Sequence, residues 1–216
     1  MTRINLIYRA FISVIMVSFL SGCLSVSNSP QSRFYTLHAI FREKVDRKFD
    51  IPSGLIIGVG PIKIPEFLNR PQMVTQNESR LDFAEFDRWG EPLTQAIARI
   101  INENLKSMLP DATIETFPWN VFITVKYQVI LDFIQIESRL DKDVFFVVQW
   151  SLLNLDTKEM MLTKRLTLRQ PINGHSYAGL SEALSIAVGS LSRDIAEAVA
   201  QAESRPGSAT NKTVSE

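Results

Sequence analysis

Apolar and polar positions alternate over several stretches of this 216-residue chain, and two further stretches repeat at helical spacing. Val121, Ile123, Val125, Tyr127, Val129, Leu131 and Phe133 alternate with a face that includes Thr124, Lys126, Gln128 and Asp132, which predicts a long half-buried strand. Val144, Phe146, Val148, Trp150 and Leu152 alternate in the same way. Phe145 and Val147 make that second strand apolar on both faces, so a central position is expected. A turn over residues 154–158 leads into a third strand over 160–169, and the three read as an antiparallel meander. Upstream, residues 33–37 and 55–60 read as strands, the latter continued by Pro61-Ile62-Lys63-Ile64. Gly58 and Gly60 suggest a bulge or close packing there, and Pro61 an edge or a bend. Residues 72–75 and 80–83 can pair as a hairpin, and the charged residues 41–53 read as a loop.

The first helix begins near Glu91-Pro92, where proline suits the opening turn because its missing N–H would be unpaired anyway. Leu93, Ile97, Ile100, Ile101, Leu105 and Met108 share one face, interrupted by Asn104, and Pro110 ends the helix. Tyr177, Leu180, Leu184, Ala187, Val188, Leu191, Ile195 and Val199 form the stripe of a second helix, with Ser176 as N-cap. Strands, helix, three strands, helix is an α+β order. The expected domain is a mixed, largely antiparallel sheet with two main helices packed on one face.

The amino end has a different layout. Arg3 and Arg9 flank an otherwise uncharged start, an apolar run spans residues 10–20, and Ser21-Gly22 precede Cys23. These are the three regions of a secretory signal, and the run is shorter than the roughly 20 residues of a spanning helix. Leu20-Ser21-Gly22-Cys23 resembles the lipobox of bacterial lipoproteins. That resemblance implies diacylglycerol on the Cys23 thiol, cleavage before Cys23, and acylation (palmitate being typical) of the new amine. Cys23 is the sole cysteine, so no intramolecular disulfide can form. Each buried methylene of an anchor contributes about 0.8 kcal/mol, so several chains hold essentially permanently. Leu24, where aspartate would mean inner-membrane retention, implies sorting to the periplasmic face of the outer membrane.

The expected organisation is a signal peptide over residues 1–22, a lipidated cysteine and short linker over 23–30, a domain over 31–203 and a disordered tail over 204–216. The linker, LSVSNSP after the cysteine, reaches only about 25 Å when fully extended. Cleavage removes Arg3 and Arg9, leaving 21 basic against 23 acidic side chains, a formal −2. Such a balance offers no electrostatic footing for nucleic acid.

Candidate chemistry is sparse. His38 and His175 have no cysteine or convergent carboxylates with zinc-ligand spacing, so neither a metal nor any cofactor is expected. No Gly-x-Ser-x-Gly elbow marks a hydrolase, and no catalytic residue is assigned. Gly58-x-Gly60 lacks the third glycine of a dinucleotide fingerprint. Two clusters remain, Asn69-Arg70-Pro71-Gln72-Met73-Val74 and Asp87-Arg88-Trp89-Gly90-Glu91-Pro92-Leu93. Arginine and tryptophan carry large contact area and polar handles, so Arg70, Pro71, Gln72, Arg88 and Trp89 are candidate partner-binding residues. Packing of Trp89 as a staple at the helix start is the competing reading.

With Phe34-Tyr35-Thr36-Leu37 and Ile57-Gly58-Val59-Gly60-Pro61-Ile62-Lys63-Ile64-Pro65, in that order before them, these clusters resemble the PqiC/YmbA family of ABC-type transport auxiliary lipoproteins. The resemblance implies a fold related to the TolB N-terminal domain. It implies a docking subunit, not an enzyme, working with an MCE-domain protein and its inner-membrane permease or Pqi-type membrane protein to move lipid across the periplasm. It also implies contact with outer-membrane lipid, a role in envelope integrity, and room for a homo-oligomeric ring. A periplasmic cell-wall-binding or envelope-enzyme lipoprotein is the alternative reading.

Overall fold

A computed structural model describes residues 30–40 and 49–204 of the chain. The leader, Cys23, most of the linker, the greater part of the charged loop and the tail from residue 205 lie outside the described residues. The chain divides into two units, Met1–Gln31 and Ser32–Glu216, and the second carries all the strands and helices described.

The elements are β1 (Arg33–Tyr35), β2 (Leu55–Lys63), a 3-10 turn (Glu66–Leu68), β3 (Gln72–Asn77) and β4 (Arg80–Trp89). Helix α1 (Leu93–Met108), β5 (Ala112–Thr116), β6 (Tyr127–Arg139), β7 (Asp143–Asn154), β8 (Glu159–Pro171) and helix α2 (Tyr177–Ser204) follow. The class is α+β as expected, but the strands form two mixed sheets where one was expected. The larger has the order β5-β2-β6-β7-β8 and the smaller β1-β4-β3.

The meander β6-β7-β8 is antiparallel, as the alternation predicts. β2 lies between β5 and β6, parallel to both. It is thus an interior strand that nonetheless contains Pro61. The ladder tolerates it because register shifts between Val59 and Ile62, so the proline sits in a bulge where no ladder donor is required.

Ile57 and Val59 point into the core, and so do Ile97, Ile100, Ile101 and Leu105 of α1 and Leu184, Val188, Leu191 and Ile195 of α2. Both helices therefore cover the same side of the larger sheet. Asn104 is fully buried where the helices meet; its amide donates to Ser192 Oγ at 3.2 Å and its carbonyl accepts from the Ile40 N–H at 3.2 Å. Ser176 caps α2, its hydroxyl accepting from the Gly179 N–H at 3.1 Å.

One strand expectation is corrected. Alternation begins at Val121, yet β6 begins at Tyr127. Residues 117–126 instead form a crossover tied at both ends to β2: Phe117 N–H donates to Val59 O and Lys126 N–H to Ile56 O. Because β5 and β6 flank β2 and run parallel to it, the chain must return across β2 before β6 can start. That requirement overrides local strand propensity.

Candidate functional site

The smaller sheet brings the two sequence clusters together. Tyr35 pairs with Trp89 and Phe34 with Arg88, while Gln72 pairs with Arg88 from the other side. Cross-strand partners share a face. Phe34, Arg88 and Gln72 therefore form one row across the three strands, and Phe34 is 67% exposed.

Asp87 fixes this row. Arg33 grips its carboxylate at both oxygens, Nε to Oδ1 at 2.7 Å and Nη2 to Oδ2 at 2.6 Å, and the Tyr35 hydroxyl donates to Oδ1 at 2.8 Å. The Arg33 hydrogen bonds hold the Asp87 carboxyl below the usual range; burial pushes the other way, and Tyr35 adds to the lowering. With Arg33 and Tyr35 held on the Asp87 side, Phe34 is directed to the opposite, outer face by strand alternation.

Around the row, the Arg70 guanidinium lies 4.2 Å from the centre of the Phe83 ring, a cation–π contact in which both partners remain exposed. Trp89 N–H donates to Pro71 O at 2.7 Å, and Gly90 N–H to Tyr35 O at 2.7 Å. These bonds frame a recess of about 350 Å³ lined by Asn69, Arg70, Pro71, Trp89, Gly90, Glu91 and Pro92, largely through apolar atoms. In the Phe34–Arg88–Gln72 row, Arg88 Nε is enclosed without a hydrogen-bond partner.

Of the sequence-named residues, Arg70 and Pro71 are exposed, and Gln72 and Arg88 are half-buried. Trp89 is only 7% exposed and belongs to the core cluster, so it walls the recess from behind. Cys23 lies outside the described residues. Sequence reasoning missed Phe34 and Phe83 as members of the surface. Neither carries a local signal of exposure, since an aromatic residue in a short strand reads as core; only the cross-strand register exposes the grouping.

The start of α1 is held by a second network. Arg99 Nη2 bonds Glu91 Oε1 at 2.5 Å, Thr36 Oγ1 at 3.0 Å and Leu37 O at 2.9 Å, while Nη1 reaches Glu103 at 3.2 Å. Arg99 lines a recess of about 540 Å³ between α1 and β2, but its guanidinium is already engaged by the protein. His38 stands beside Ser185, and His175 is exposed in a turn at φ 45°. Among the described residues there is no group of three His, Cys, Asp or Glu side chains that could hold a metal ion, and no helix long and apolar enough to cross a membrane.

Comparison with known proteins agrees with this architecture. A crystal structure of an uncharacterized protein superposes with a TM-score of 0.63 at 18% identity, covering 79% of this chain and 99% of that one. A Xanthomonas campestris protein of the DUF330 family gives a TM-score of 0.61 at 11% identity, covering 79% and 97%. At these identities the likeness is one of fold. No curated protein matches the chain in sequence. The family model for the ABC-type transport auxiliary lipoprotein component matches residues 35–196, from the end of β1 into the last turns of α2. The chain belongs to the ABC-type transport auxiliary lipoprotein component family.

Proposed function

We propose that this chain is an outer-membrane lipoprotein, anchored through acylated Cys23, that serves as the docking subunit of an MCE-type lipid transport system and so supports envelope integrity. Family membership supplies the association with a transporter. The lipobox-like Leu20-Ser21-Gly22-Cys23 and the following Leu24 favour a lipid anchor and outer-membrane sorting.

The observation that carries the docking role is the composition of the smaller sheet's outer face. Arg70 stacks on exposed Phe83 and lines the apolar recess in front of Trp89, and Phe34 stands exposed on the neighbouring strand β1 of the same sheet. Aromatic and arginine side chains around a pocket are what energetically dominant interface residues are made of. The partner is the MCE-domain protein, with its permease or Pqi-type membrane protein beyond it, and a ring of several copies would present this surface repeatedly.

The test is affinity purification of the tagged lipoprotein from detergent-solubilised membranes, as wild type and as Arg70→Glu. The expected result is an MCE-domain protein in the wild-type eluate and its loss from the variant. Equal recovery from both would remove this surface from docking. Recovery of peptidoglycan in place of an MCE protein would favour a cell-wall-binding role.

A further inference from the structure

The crossover between β5 and β6 has a composition and an exposure that docking on the smaller sheet does not use. Residues 117–125 read FPWNVFITV, nine positions without a charged side chain. Val121 is 89% exposed and Phe122 is 90% exposed, and Phe117 is also open to solvent. Two large apolar side chains at the tip of one loop are not a routine surface.

The tip is held in place. Asn120 closes it twice: its side-chain oxygen accepts from the Phe122 N–H at 3.0 Å, and its backbone carbonyl from the Ile123 N–H at 2.9 Å. Trp119 packs edge-on to Phe117, ring centres 5.5 Å apart, and lies over Gly58 of β2. An ordered base thus presents Val121 and Phe122 outward, at little further entropic cost on burial. At the loop's end Lys126 pairs with Glu203 at 2.7 Å, so no free cation stands there to recruit an anionic surface.

We propose that the 117–126 loop is an interfacial membrane contact, burying Val121 and Phe122 in a bilayer with Trp119 behind them. The inference rests on the lipid-anchor reading. The linker between acylated Cys23 and Pro30 can span at most about 25 Å, which would keep the domain within reach of lipid. An uncharged, Trp- and Phe-bearing tip on such a domain suits the boundary between headgroups and acyl chains. The contact makes the domain's attachment two-point, fixing its orientation as well as its height. Because the tip is neutral, burial is insensitive to salt and to the fraction of anionic lipid.

The test uses the full lipoprotein carrying Phe122→Cys. With Cys23 acylated, the new thiol is the only one free and takes a nitrobenzoxadiazole label. The protein is reconstituted into phosphatidylethanolamine–phosphatidylglycerol vesicles. A second variant, Ser190→Cys on the outward face of α2, is the reference, since α2 covers the side of the larger sheet away from Gly58 and Trp119. The expected result is a blue-shifted emission at position 122 that is quenched by lipid-borne nitroxides and unchanged by salt, with no shift at position 190. Vesicle flotation with a water-like emission at 122 would overturn the membrane contact and leave the anchor intact. Shielding at 122 only when solubilised partner protein is added would overturn it in favour of a protein pocket. An unmodified Cys23 thiol by mass spectrometry would overturn both readings.

Discussion

Trp119 lies against Gly58 so closely that a Cβ added at residue 58 would fall within 3.0 Å of three atoms of the indole ring. A glycine in the middle of a five-stranded sheet would ordinarily weaken it. Here its missing side chain is the seat of the crossover, and Gly60, at φ 117°, lets the strand bulge beside Phe117. Gly58→Ala should therefore destabilise the domain by about 1–3 kcal/mol through overpacking. Urea unfolding read by tryptophan fluorescence measures it, and limited proteolysis should show the 117–126 loop cut faster in the variant.

Asn104 is the polar residue in the apolar stripe of α1, and the structure explains it. It joins three segments: α1, the Ser192 hydroxyl on α2, and the Ile40 N–H of the chain between them. Asn104→Leu would leave the Ile40 donor short of its partner in a largely buried setting. The expected loss is about 1–3 kcal/mol, and Ser192→Ala, which takes one acceptor from the buried Asn104 amide and also loses the hydroxyl's bond to Val188 O, should cost a similar amount. A double-mutant cycle in urea separates the Asn104–Ser192 coupling from the rest.

Acid should act on the smaller sheet through Asp87. Its carboxyl is held below the ordinary value by Arg33, and Glu91 is held down likewise by Arg99. Asp143 shifts the same way, burial opposing but Arg169 and Arg139 outweighing it. A carboxyl with a lower pKa folded than unfolded stabilises the fold above its unfolded value, about 4, and loses that contribution as pH falls through the folded value. Asp87→Asn should cost about 1 kcal/mol at pH 7, and the gap from wild type should close as pH drops below about 4. Thermal melts at stepped pH check both the size and the sign.

Arg70 is exposed and contributes its cation–π contact with Phe83 at the surface. Arg70→Glu should change stability by no more than about 0.5 kcal/mol. A hot-spot truncation costs 2 kcal/mol or more, so partner affinity should fall by roughly 30-fold or more. Trp89→Ala is a poorer probe, because Trp89 is packed into the core and its truncation would cost about 3–5 kcal/mol of stability. Melting temperatures measured beside binding isotherms distinguish the two effects.

The helices and the β6-β7-β8 meander are legible in the chain because their pairing is local: periodicity reports burial, and adjacent strands find each other. Pairings distant in sequence left no such trace. Nothing near Arg33 announces that it will run parallel to Asp87, fifty-four residues on, and nothing in Ala112–Thr116 marks it as an edge strand beside β2. The same non-local pairing made residues 121–126 misread as strand, since alternation reports chemistry and not the path a crossover must take. At the candidate site, Arg70 and Trp89 stand out by residue type, whereas Phe34 is placed beside Arg88 only by the β1–β4 register and Phe83 beneath Arg70 only by the fold.

Docking on the outer face of the smaller sheet is the central claim, and the most direct measurement is photo-crosslinking in intact cells from residue 71. Pro71 is exposed at the rim of the recess and can be replaced by a benzophenone-bearing amino acid. The expected result is a crosslink from that position to an MCE-domain protein, lost when Arg70→Glu is added. Crosslinks to peptidoglycan-associated proteins alone, or to an MCE protein from Ser190 on α2 but not from residue 71, would contradict it.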